Sequence, residues 1–411
     1  MWRKIGTNTV YQLIGKGVSV ISSVIIVSLL TRSLGGENYG EYVLVTSVPA
    51  FLYLFVDFGL NAIFLREISS AGRHSKRFGS FFALRAILSM IAFLTGLAFA
   101  FIYTSEPLIR TGMAIALTTV FTQGAFTSFN ALFQHSLRYN LSALAAVVSY
   151  AFAVSAVFVG FLSRANFLYF VGVWTLASVV LAGASLIFAQ KLSEKPIFSW
   201  DKAWVKSIFK ASLPIGLMLV FAQINARADV FLLRALDSAE AVGIYRLAYS
   251  VFENILPIPI FFVNALYPVM LRDRKLGIAA LFGRLKKSLS ILVLASIALG
   301  AVIFVFAPWV IYILGGEEFA PSFLVLRLLA VSFPLFFVTA PLQWTLITVG
   351  KERVLPVIYA VAAVVNVLVN VVFIPYFSYL ASVAATILSE LLILAGLVYA
   401  ISRFRSKSGG G

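Results

Sequence analysis

Nine charged side chains fall where the chain has least room for charge. Lys16, Arg227, Arg234, Arg246 and Arg327, with Asp57, Asp229, Glu253 and Glu390, all lie inside long apolar runs. A charge facing hydrocarbon costs several kcal/mol and is normally turned to a cavity or a partner, which makes each a candidate for function. Lys16 sits in the first third of its run, where it can snorkel to the surface or face a cavity; Arg227 is deeper and has no such escape. For Arg234, Arg246 and Arg327, near the outer ends of their runs, snorkelling is the default. Glu253 and Glu390 sit near mid-run, where a carboxyl serves either as a protonated packing group or as a proton or sodium coupling site. Asp57 can cap a helix or pair with Arg66, and Asp229 can pair with a nearby arginine; both are also coupling candidates. Asn366 and Asn370, one turn apart, suit hydrogen bonding between helices better than ligand binding.

Neutral polar residues extend these positions into stripes. Asn8, Gln12, Lys16, Ser19 and Ser23 recur every three or four residues, and so share one helix face. Tyr42, Thr46, Tyr53, Asp57 and Asn61 do the same on the next run. Later in the chain Ser212, Gly216, Gln223, Arg227 and Arg234 form a third stripe, and Tyr245, Tyr249, Glu253, Pro257 and Asn264 a fourth.

The elements that carry these stripes follow from composition. The 411 residues are 61% apolar and 12% charged, against about 45–50% and 25% in soluble domains. Twelve apolar runs, each long enough to cross a bilayer, lie near 9–30, 39–62, 80–103, 111–134, 141–162 and 167–189, then 211–235, 242–268, 288–314, 322–348, 355–374 and 380–402. The connections between them are too short to hold an independent domain, which excludes a soluble enzyme and a membrane-anchored catalytic domain. The first run is read as a span and not a signal peptide, because it is long, carries Lys16 and lacks an A-x-A-like cleavage site. There is no cysteine and only two histidines, so disulfides, thiolate metal sites and His-rich centres are not expected, and no cofactor is called for.

With the N-terminus in the cytoplasm, 24 of the 32 basic residues, Arg85 among them, are assigned to the inner connections and tails, three to the outer side and five to spans. The positive-inside rule then gives N-in and C-in topology. Most of the net charge of +16 therefore marks orientation and a surface facing anionic lipid, and calls for no nucleic acid.

An ungapped offset of 203 residues lays the segment from Val27 on the segment from Val230, with 9 of 22 columns identical, including Glu37 with Glu240, Gly40 with Gly243 and Tyr42 with Tyr245. Extending to Leu65 adds Phe58 with Phe261, Asn61 with Asn264 and Ala62 with Ala265. Two copies of six spans share one orientation about an axis along the membrane normal, and their polar stripes suit a shared wet cavity. The expected organisation is an N-lobe over 1–190, a cytoplasmic joint over 191–210 and a C-lobe over 211–411. In the joint Ile197, Trp200, Trp204 and Ile208 share one helical face and Lys202, Lys206 and Lys210 another, which reads equally as an amphipathic helix on the cytoplasmic leaflet or as a plain linker.

The stretch NTVYQLIGKGVSVISSVIIVSLLTRSLGGENYGEYVLVTSVPAFLYLFVDFGLNAIFLREIS resembles the opening of Wzx-type polysaccharide flippases of the multidrug/oligosaccharidyl-lipid/polysaccharide (MOP) exporter superfamily, as do the Gly243–Tyr245 repeat and the run from Asn225 to Asp229. The resemblance implies an all-α polytopic membrane protein of MATE-like fold, with twelve transmembrane helices in two six-helix lobes. It also implies movement of a polyprenyl-diphosphate-linked oligosaccharide to the outer leaflet of the cell membrane, alongside polysaccharide polymerase machinery. Under that reading Lys16, Arg227 and Arg234 would hold the diphosphate and Gln12, Asn61, Gln223, Tyr249 and Asn264 the sugars. Coupling to H+ or Na+ would fall to Glu253, Glu390, Asp229 or Asp57.

Drug and cation exporters of the superfamily typically carry a carboxylate in the first span, where this chain has Lys16, and the lipid II flippases typically have fourteen spans. A cation-coupled exporter of amphipathic small molecules is the second reading. A membrane-embedded glycosyltransferase is the third, disfavoured because the outer connections are too short for a catalytic loop.

Overall fold

The computed structural model describes residues 2–68, 74–136, 138–190 and 200–408, and all regular structure among them is helical. The first unit of the chain contains α1 (Trp2–Asp57), α2 (Leu60–Ile68), α3 (His74–Tyr103), α4 (Pro107–Leu117), α5 (Thr119–His135), α6 (Tyr139–Leu162) and α7 (Phe167–Ala189). There follow α8 (Lys202–Leu236), α9 (Ala239–Ile255), α10 (Pro257–Leu276), α11 (Ile278–Gly315), α12 (Ser322–Val331), α13 (Phe333–Thr348), α14 (Leu355–Phe377) and α15 (Tyr379–Ser408).

Nine helices among the described residues are long and apolar enough to cross a membrane, ten when the bent pair α12 and α13 is taken as one span. Two further crossings come from breaks in the chain. The 56 residues of α1 would reach about 84 Å at 1.5 Å per residue, far beyond a hydrocarbon core of about 30 Å. Gly35, at φ 70° and ψ 178°, divides that length into two spans, in a left-handed conformation that glycine adopts without steric cost. The last crossing is α4 with α5, interrupted at Thr118. The protein is an all-α, multi-pass membrane protein.

The internal repeat is visible in the backbone. The offset that lays Gly35 on Ser238 joins two helix breaks: Ser238 is extended and caps α9 by accepting from the Ala241 N–H at 3.1 Å. The next break differs between copies. In the first it falls at Phe58 and Gly59, both at positive φ; in the second it comes about five residues earlier than the offset places it, at Leu256. Pro257 follows there, and a proline that cannot donate an N–H opens a helix more readily than it continues one.

Contacts divide the chain into two compact units, Met1–Val220 and Phe221–Gly411. Within the first, α3 packs on α5 and α7 on both α5 and α6; within the second, α11 packs on α13 and α15 on both α13 and α14. The spans are packed by small residues. On α11 Ser288, Ser296 and Gly300 are turned inward, and a Cβ at Gly300 would lie 2.9 Å from the Ala330 carbonyl oxygen. The same helix exposes Ile291, Leu294, Ile297 and Val305. Lipid solvates apolar groups as well as protein does, so close backbone approach, and not apolar burial, holds such helices together.

The expected joint resolves into the foot of a span. Residues 191–197, with Lys191, Lys195 and Ile197, lie outside the described residues. Asp201 caps the Trp204 N–H at 3.0 Å, and α8 then runs unbroken from Lys202 to Leu236. Trp204, Val205 and Ile208 are buried with Phe64, Phe81 and Phe133, and the Trp204 indole N–H donates to Glu67. Lys202, Lys206 and Lys210 are exposed. Most of the apolar face drawn for lipid thus meets protein, because α2 and α3 offer it an aromatic surface; Trp200 of that face is exposed.

Candidate functional site

In the second unit α8 and α9 bring four of the charges inside spans together. On α8, Arg227 and Asp229 sit two residues apart; on α9, Arg246, Tyr249 and Glu253 follow at spacings of three and four and so share a face. The Arg246 guanidinium donates to the Glu253 carboxylate at 3.1 Å, and Arg227 approaches the other Glu253 oxygen at 3.8 Å. Arg246 also lies over the Tyr249 ring, 4.9 Å from its centroid, which favours a cation electrostatically. Asp229 accepts from the Val230 N–H at 2.8 Å and lies within electrostatic reach of both arginines and of Tyr245. Tyr245 in turn shares a hydrogen bond of 3.2 Å with Thr386 of α15.

Behind this group lies a neutral network. Asn366 donates to Ser389 at 3.0 Å, Asn370 donates to the Asn366 carbonyl and side chain, and Ser382 donates to Asn370 at 2.7 Å. These bonds tie α14 to α15, the role their spacing suggests. Glu390, 8% exposed, accepts from the Thr339 hydroxyl and takes no part in the ion pairs among the described residues. Near it Tyr359 donates to Gln343 at 2.9 Å.

The first unit holds a different arrangement. Asp57, the last residue of α1, is ion-paired with Arg85 of α3. Arg85 also donates to Ser128 at 3.2 Å and covers the Phe81 ring at 4.6 Å. Tyr53 is hydrogen-bonded to Thr127, and Ser19 shares a bond of 2.9 Å with Tyr150. Asn61 is half-buried, with its carbonyl oxygen buried and without a hydrogen-bond partner among the described residues.

The structure therefore brings together some of the expected residues and separates others. Arg227, Asp229, Glu253 and Tyr249 form one group; Tyr249 is buried, with its ring face given to Arg246 and its flanks to Tyr245 and Phe252. Arg234, half-buried, is in the last turn of α8, about 10 Å farther along the helix than Arg227. Gln223 is half-buried on α8 and Lys16 half-buried on α1. Asp57 pairs with Arg85; the side chain of Arg66 lies outside the described residues, as do those of Gln12 and Asn264. No three His, Cys, Asp or Glu side chains among the described residues are placed to hold a metal ion.

Comparison with known proteins gives this geometry a context. The family model described as "Polysaccharide biosynthesis protein" matches residues 2–272, well over half of the chain. The chain belongs to the polysaccharide biosynthesis protein family. No curated protein matches its sequence significantly, whereas solved structures match its fold over almost its full length. The lipid II flippase MurJ in an inward closed conformation is similar at a TM-score of 0.78 and 13% identity, over 96% of this chain and 87% of MurJ. A multidrug resistance MATE family transporter of the MOP superfamily, inward-facing, is similar at 0.76 and 15%, over 96% of each chain. A MOP superfamily transporter from Pyrococcus furiosus, described as having a binding pocket of reverse polarity, is similar at 0.66 and 14%, over 98% of this chain and 96% of that one. The fold is that of the MOP superfamily.

Two buried arginines of this polysaccharide biosynthesis family member escape a reading of the sequence. Arg85 counts there as a cytoplasmic charge, yet it lies three turns into α3 and is only 1% exposed. Its partner is 28 positions earlier, so no local spacing reveals it. Arg246 reads as a snorkelling end-of-span residue, yet it is 9% exposed. Here a signal exists: Glu253 lies seven residues on, two turns along the same face.

Proposed function

We propose that the protein moves a polyprenyl-diphosphate-linked oligosaccharide from the cytoplasmic to the outer leaflet of the cytoplasmic membrane by alternating access, with both termini in the cytoplasm and without a chemical step. Membership of the polysaccharide biosynthesis family supports the substrate class. The single observation that carries the reading is the pair of guanidiniums, Arg227 and Arg246, drawn to one half-exposed carboxylate inside a span. Guanidinium forks match phosphate oxygens in geometry as well as charge. Lys16 and Arg234 would add positive charge along the route, and the half-buried Gln223 would serve sugar hydroxyls.

Coupling to a proton or sodium gradient, if the transporter uses one, falls to Glu390. Of the four candidate carboxylates, Asp57 and Glu253 are each held by arginine and Asp229 lies between two of them, whereas Glu390 has a hydroxyl partner. The deciding experiment uses proteoliposomes loaded with labelled lipid-linked oligosaccharide. Unchanged flipping by a Lys16→Ala, Arg227→Ala double variant sinks the binding role. Glu390→Gln is expected to remove the dependence of the rate on an imposed pH gradient, and a retained dependence removes Glu390 from coupling. The second reading, export of amphipathic small molecules, draws support from the MATE likeness; drug sensitivity on deletion with surface polysaccharide unchanged would favour it.

A further inference from the structure

The charges of the group on α8 and α9 balance. Arg227 and Arg246 face Glu253 and Asp229, two against two, so an arriving anion meets no net attraction until a carboxylate moves. The two carboxylates differ in exposure. Asp229 is 1% exposed and tied to the Val230 N–H. The Glu253 side chain is 45% exposed, against 20% for Arg227 and 10% for Arg246. It stands in the last turn of α9, just before the break at Leu256 and Pro257.

Arg246 has donor capacity to spare. One of its terminal nitrogens bonds Glu253, while the other is buried without a hydrogen-bond partner among the described residues. A buried donor left unpaired costs free energy that an incoming acceptor recovers. The exposed carboxylate thus shields a guanidinium that is under-satisfied.

We infer that Glu253 is a built-in counterion that occupies the place of the substrate diphosphate and must swing off Arg227 and Arg246 for the headgroup to bind. The inference rests on the headgroup role of Arg227 proposed above, and adds Arg246 as a ligand and Glu253 as the residue that sets specificity. A monoester phosphate, with about −1.5 to −2 charges on three acceptor oxygens, can take the place of the one carboxylate. A diphosphate brings more charge and more acceptor oxygens, enough to engage both forks and the unpaired Arg246 donor at once. The carboxylate therefore acts as a threshold that admits diphosphates and rejects weaker anions.

The test measures binding of farnesyl diphosphate and farnesyl monophosphate to the full-length protein in detergent micelles by calorimetry. The wild type is expected to prefer the diphosphate. Glu253→Gln is expected to tighten diphosphate binding about tenfold and to narrow the preference, and Glu253→Asp, which keeps the charge on a shorter arm, to tighten it by a smaller factor. If both variants bind no tighter than wild type while Arg227→Gln still abolishes binding, the counterion role is overturned and the headgroup reading stands. If Arg227→Gln and Arg246→Gln both bind farnesyl diphosphate as the wild type does, the headgroup reading falls and takes the counterion with it.

Discussion

Both units bury arginine, and they treat it in opposite ways. In the first, Arg85 meets Asp57 one to one, fills a second valence with Ser128 and packs its face on Phe81. In the second, Arg227 and Arg246 share the half-exposed Glu253 beside the buried Asp229, and in each set one arginine keeps a buried nitrogen without a hydrogen-bond partner among the described residues, Nε of Arg85 and Nη1 of Arg246. A matched, enclosed pair is architecture: it neutralises charge that the bilayer would otherwise penalise. A pair closed by an exposed carboxylate is a site, because an anion from outside can compete with Glu253 for the guanidiniums. The offset of 203 residues lays Arg227 on Val24 and Arg246 on Val43, so the repeat has duplicated the scaffold and not these two arginines.

The contrast can be broken most sharply at Arg85. Arg85→Ala leaves Asp57 without its partner and is expected to destabilise the fold by about 3–5 kcal/mol, measured as a lower melting temperature in detergent, with most of the loss recovered by Asp57→Asn combined with Arg85→Met. A melting curve unmoved by Arg85→Ala would mean that the pair is not architectural. Arg227→Gln should do the reverse, weakening diphosphate binding by about 10–100-fold while melting stays near wild type. Should it melt as early as Arg85→Ala, the two sets are not different in kind. Gly216→Val sharpens where architecture ends on α8: a Cβ there would come 2.5 Å from the Phe58 ring, and the crowding is expected to cost about 1–3 kcal/mol. Relief by Phe58→Ala would tie the cost to that contact. The smallest effect is expected from Asn370→Ala, about 1 kcal/mol by the same melting assay, with diphosphate affinity unaltered; a loss of affinity would extend the site into α14.

Much of the fold is legible in the sequence because lipid makes its demands locally. A run of about twenty apolar residues is a span wherever it lies, and the offset between Gly35 and Ser238 marks where two copies break. The site is legible by half. Arg227 and Glu253 can be picked out because charge at mid-span is conspicuous, and their shared stripe logic survives in the structure. Long-range pairing is another matter: Asp57 finds Arg85, 28 residues on, and Trp204 turns to Glu67 and an aromatic core instead of a lipid surface. Periodicity states which face a residue occupies and is silent on what that face meets.

The placement of the two ionic sets bears on how the chain enters the membrane. Asp57 ends the second span and Arg85 lies in the third; Arg227 and Asp229 lie in the seventh, Arg246 and Glu253 in the eighth. For Asp57 and for Arg227 an opposite charge arrives on the very next span to be synthesised, whereas Arg246 meets Glu253 within its own. An arginine or aspartate at mid-helix raises the cost of insertion by about 2.5–3.5 kcal/mol. A nascent span that carries one is therefore best released to lipid together with its successor, as a hairpin whose charges have already met.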